Sequence, residues 1–67
     1  MMEINRAAII CSRYLADDQF ELFNGTLFYN APENISRKIF SDLMVSFNMK
    51  CSISKIESNH YAVDFIG

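Results

Sequence analysis

Gln19-Phe20-Glu21-Leu22-Phe23-Asn24-Gly25-Thr26-Leu27-Phe28-Tyr29-Asn30 is the stretch that decides the fold. Asn-Gly between two β-prone runs is the strongest short hairpin signal, because a type I′ turn needs positive φ at both central positions. Such a turn pairs Phe23 with Thr26, Leu22 with Leu27, Glu21 with Phe28 and Phe20 with Tyr29. Side chains alternate along a strand, so Phe20, Leu22, Leu27 and Tyr29 share one face and Glu21, Phe23, Thr26 and Phe28 share the other. The first set is the core face.

Downstream, Asn30-Ala31-Pro32-Glu33 opens a helix, with Asn30 as cap, Pro32 tolerated in the first turn and Glu33 at a capping-box position. From Glu33 to Asn48, an apolar arc of Ile35, Ile39, Phe40, Leu43, Met44 and Phe47 opposes Arg37, Lys38, Ser41 and Asp42. Val45 falls on that polar side. A second hairpin follows, in which Met49, Cys51 and Ile53 alternate with polar residues, as do Tyr61, Val63 and Phe65. A three-residue loop, Glu57-Ser58-Asn59, sets Ile53 against Val63 and Cys51 against Phe65, with Asn59 left-handed. A two-residue turn would instead scatter the apolar face.

Upstream, Ile4 to about Ala16 reads as a helix whose broad apolar face holds Ile4, Ala7, Ala8, Ile10, Cys11, Tyr14 and Leu15. Ile9 lands among the polar residues. A strand is the rival reading, since Ile9-Ile10-Cys11 is β-prone, but alternation there is poor. The expectation is a single α+β domain over 1–67, a two-layer sandwich in the order helix–hairpin–helix–hairpin. Two helices would cover one face of a four-stranded antiparallel sheet.

With 67 residues, 21% of them charged and a net charge of −2, the chain is neither disordered nor a strongly basic nucleic-acid binder. A chain this short buries only about 60% of its unfolded surface, so dense packing or a partner must compensate. The N-terminal apolar run is too short for a signal peptide and no stretch could span a membrane, so a cytoplasmic location is expected. In such a reducing compartment Cys11 and Cys51 are free thiols. Two cysteines and one histidine make no four-ligand zinc site without carboxylates.

Cys11 and His60 together invite a nucleophile reading, but Cys11 sits mid-face on the first helix and His60 borders a turn. Asp17, Asp18 and Glu21 form an acidic knot, too small a ligand set for a hard cation. No phosphate loop, nucleophile elbow or metal quartet is present. No catalytic residue, cofactor, metal or small-molecule substrate is therefore expected, and the chain reads as a non-enzyme.

The second sheet face carries more information. Phe23, Phe28, Ile56, Ile66 and Ala62 collect there, and Ile9 and Val45 are stranded on polar helix faces. Large exposed apolar side chains gathered on one face mark an interface. Phe23, Phe28, Ile56, Ile66, Val45 and Ile9 are the expected contacts, with another protein or a second copy in a homodimer. The function expected is that of a small regulator or inhibitor, a size class that includes phage and mobile-element proteins that block host machinery. The alternatives are a nucleic-acid module using Arg37, Lys38, Lys50 and Lys55, and a subunit of an obligate complex.

Overall fold

A computed structural model describes the backbone of residues 2–65 and the side chains of residues 5–65. Helix α1 (Met2–Ser12) is followed by a 3₁₀ turn (Asp17–Gln19), then by β1 (Phe20–Phe23) and β2 (Thr26–Asn30). Helix α2 (Glu33–Ser46), β3 (Cys51–Glu57) and β4 (His60–Phe65) complete the chain. The four strands form one antiparallel sheet ordered β1-β2-β4-β3, so the molecule is a small α+β protein.

Asn24 and Gly25 both take positive φ, 52° and 80°, and the β1–β2 register is the one an Asn-Gly turn imposes. Nothing lies within 4 Å of where a Gly25 Cβ would sit, so backbone conformation alone requires the glycine.

The second hairpin keeps the expected pairs, Ile53 with Val63 and Cys51 with Phe65, but closes differently. Glu57 pairs with His60 across a tighter turn, and the next pair is Lys55 with Tyr61. The odd residue is absorbed as a bulge, with Ile56 and Glu57 together opposing His60. Asn59 is left-handed, φ 65°.

Helix boundaries depart further from expectation. α1 stops at Ser12, whose hydroxyl donates back to the Ile9 carbonyl at 2.7 Å, and not near Ala16. Asp17 and Asp18 would place carboxylates at a helix C-terminus, which the helix dipole disfavours. Tyr14, expected on the apolar face, is exposed and donates its hydroxyl to Asp42. Asn30 does not cap α2; it is the last residue of β2, paired with His60, and Pro32 holds the cap position. Glu33 makes no capping box and instead accepts from Arg37 at 2.8 Å. α2 ends at Ser46 because Asn48 and Met49 turn left-handed, and the Met49 amide closes the helix by donating to the Met44 carbonyl at 2.7 Å. Met49 is consequently exposed in a loop instead of opening β3.

The core is one cluster. Ala7, Ile10 and Cys11 of α1 and Ile39 and Leu43 of α2 meet Leu27, Tyr29, Tyr61, Val63 and Cys51 of the sheet. Those strand residues all belong to one face. Leu27, Tyr29 and Val63 are the most deeply buried of them because β2 and β4 are the inner strands. Each such side chain contributes about 1.5–3 kcal/mol by leaving water. Ser36 is the one polar residue in the interior among those described, and it shares a 2.7 Å hydrogen bond with the Tyr29 hydroxyl. Tyr29 also stacks on Tyr61, ring centroids 5.5 Å apart.

Candidate functional site

The strand registers lay out the second face as three rows running across the sheet. Phe23, Thr26, Asp64 and Ser52 make the first, and Glu21, Phe28, Ala62 and Ser54 the second. Asn30 and His60, with Ile56 and Glu57 opposite in the bulge, make the third. From one corner to the other, Phe23, Phe28, Ala62 and Ile56 form a diagonal apolar band. Diagonal neighbours on one sheet face lie about 7–8 Å apart at Cα, within reach of aromatic side chains. Phe23 is 58% exposed and Ile56 47%, Phe28 is half-buried, and Ala62 is overtopped by its larger neighbours.

Charge divides as unevenly as hydrophobicity. Glu21, Glu57 and Asp64 occupy register positions on this face, and no Lys or Arg does. Asp64 accepts from the Thr26 hydroxyl at 2.7 Å, which fixes one carboxylate beside the band. At one end the 3₁₀ turn and the sheet border an open cleft of about 300 Å³. Asp17, Asp18, Gln19, Glu21, Asn30 and His60 line it, with Phe20 and Phe28 as apolar walls. The acidic knot thus meets the aromatic band at a single concavity.

The residues expected at an interface do not share one surface. Phe23, Phe28 and Ile56 lie on the open face. Ile9 and Val45 are exposed on α1 and α2, in the other layer, where Met49 joins them. Arg6 and Arg13 flank Ile9 there, Arg6 donating to the Ser46 carbonyl at 3.1 Å and Arg13 lying 3.9 Å from Asp42. Ile66 lies outside the described residues.

The four candidate nucleic-acid contacts are dispersed as well. Arg37 is paired with Glu33 on α2, Lys38 is exposed beside it, and Lys50 sits in the loop before β3. Lys55 pairs with Tyr61 and so belongs to the face opposite Phe23 and Phe28. Lys55 and the two α2 cations are therefore separated from Phe23 and Phe28, and Lys50 holds no register position beside them.

The two thiols belong to the interior. Burial pushes the Cys11 thiol up to about 12, and burial also raises Cys51, whose Sγ lies 3.5 Å from Met44 Sδ. His60 occupies the open face and Cys11 the helix-bearing side, so the sheet separates them. Among the described residues no group of three or more His, Cys, Asp or Glu is arranged to hold a metal ion, and no helix is long and apolar enough to cross a membrane. No family model matches the sequence, and neither a curated protein nor a solved structure matches it.

The sequence did not reveal the cleft, because strand order and the 3₁₀ turn bring Asp17 and Asp18 to Asn30 and His60. Only the acidic knot signalled it.

Proposed function

We propose that this chain is a small, non-enzymatic, cytoplasmic binding protein, a regulator or inhibitor that works by occupying a surface of another macromolecule. Its two helices cover one face of the sheet in the order helix–hairpin–helix–hairpin and leave the other face for the partner. The observation that carries this reading is the diagonal band Phe23–Phe28–Ala62–Ile56, in which Phe23 and Ile56 are exposed and Phe28 is half-buried on the face turned away from the core cluster. Ile9 on α1, Val45 on α2 and Met49 in the loop after α2 are exposed as well, a second contact if the partner wraps the molecule.

The test is to place a photo-crosslinking residue at position 28 or 56 in one protein and at position 38 in another, in cells of the source organism. Crosslinks to a discrete species from the first two positions, lost with Phe23→Asp, support the reading. Equal crosslinking from position 38 contradicts it. The nucleic-acid reading, through Arg37, Lys38, Lys50 and Lys55, predicts a low-salt gel shift that weakens when Arg37 and Lys38 are neutralised. It is disfavoured by the separation of Arg37, Lys38 and Lys55 from Phe23 and Phe28.

A further inference from the structure

We infer that the occupant of the open face is a basic segment of another protein. One arginine or lysine enters the cleft between the 3₁₀ turn and β1, and neighbouring apolar side chains lie along the Phe23–Phe28–Ala62–Ile56 band. This rests on the open face being the binding surface and adds the chemistry of what binds there.

Charge complementarity carries the argument. Five of the eight acidic residues, Asp17, Asp18, Glu21, Glu57 and Asp64, stand on or at the rim of this face, whereas none of the six Lys and Arg residues holds a register position on it and only Lys50, in the loop just before β3, is next to such a position in the chain. Among the other acids, Glu33 and Asp42 are already engaged by Arg37 and Arg13. The field over the open face is thus negative, while the cations are spread over the rest of the molecule. A cationic ligand is steered toward such a face and an anionic one is turned away.

The same distribution argues against a second copy as occupant. A two-fold stack of open face on open face sets one patch against the same patch of the other copy, bringing the carboxylates Glu21, Glu57 and Asp64 of one face toward a face whose register positions hold carboxylates and no cation. Pairing through strand edges is also hindered. β1 offers only four residues, and β3 carries the Ile56 bulge and the Lys55 charge directed to the helix side.

The experiment is a titration of the ¹⁵N-labelled protein with short peptides alternating arginine with leucine, glutamate with leucine, and arginine with serine. The arginine–leucine peptide should shift the amides of Glu21, Phe28, His60 and Ala62 and leave those of Ile39 and Leu43 in place. Its affinity should fall as salt rises from about 0.1 M to about 1 M, where the screening length shrinks from ~10 Å to ~3 Å. The double variant Asp18→Asn, Glu21→Gln, with an unchanged unfolding midpoint, should bind it about fivefold more weakly. Equal binding of the glutamate–leucine peptide, or of the arginine–serine peptide, overturns the inference. If Phe28→Asp abolishes binding while the double variant binds normally, the open face remains the binding surface and the basic occupant is wrong. If light scattering shows a dimer crosslinked through its open faces, the second copy is the occupant. If no peptide shifts any open-face amide, both the inference and the reading beneath it fail.

Discussion

The two faces of this sheet are made by the same four strands, yet they have opposite characters. On the helix side Leu22, Leu27, Val63 and Ile53 stand in one row and Phe20, Tyr29, Tyr61 and Lys55 in the next, and residues of α1 and α2 share the core cluster with them. One residue along each strand, the other face alternates apolar groups with carboxylates, amides and hydroxyls. The helix side holds the core, and the other side carries the surface proposed to meet a partner.

The comparison is most easily broken at Leu27, which is fully buried on an inner strand. Leu27→Ala should cost about 2–5 kcal/mol by urea unfolding, because lost transfer energy and a cavity add. Tyr29→Phe comes next, since it leaves the Ser36 hydroxyl buried without its 2.7 Å partner. The expected loss is about 1–3 kcal/mol, and the double variant Tyr29→Phe, Ser36→Ala should recover part of it. Gly25→Ala should cost about 1–2 kcal/mol, because an L residue at φ 80° is strained even in open space. That turn also guards the distinction between faces, since a one-residue slip would exchange them.

The buried side also responds to alkali. Burial raises both Cys11 and Tyr29 to about 12, from ordinary values of 9.0 and 10.0. Between those limits the unfolded chain has lost protons that the native protein keeps, so stability falls as pH rises. The contribution is complete below pH 9.0 and is lost progressively through about pH 12. Cys11→Ala should flatten the first part of that alkaline decline in unfolding measured against pH. Under native conditions Cys11 should react with thiol reagents only as fast as the protein opens.

Much of this was legible in the residues. Asn24-Gly25 specified the first hairpin down to its register, and alternation in Cys51–Ile53 and Tyr61–Phe65 specified the pairing of the second. Where one residue had to be accommodated, the sequence offered a longer loop and the chain used a bulge at Ile56, a choice that depends on local twist. Helix ends were less visible, because Asn48 and Met49 are not glycines yet both turn left-handed. The candidate face was legible in part: Phe23, Phe28 and Ile56 could be assigned by alternation. Their diagonal order, and the separation of Ile9 and Val45 from them, depend on β4 lying between β2 and β3. The unequal charge of the faces has the same origin.

Neighbours in sequence give the most direct test of the central claim. Leu27→Asp and Phe28→Asp differ by one position and point to opposite faces, and their urea unfolding can be compared with that of the parent protein. Phe28→Asp should unfold cooperatively within about 1 kcal/mol of the parent, the range of strand surface substitutions, and Leu27→Asp should not fold. If Phe28→Asp is unfolded as well, the second face is part of the protein's own core and not a surface kept open for a partner.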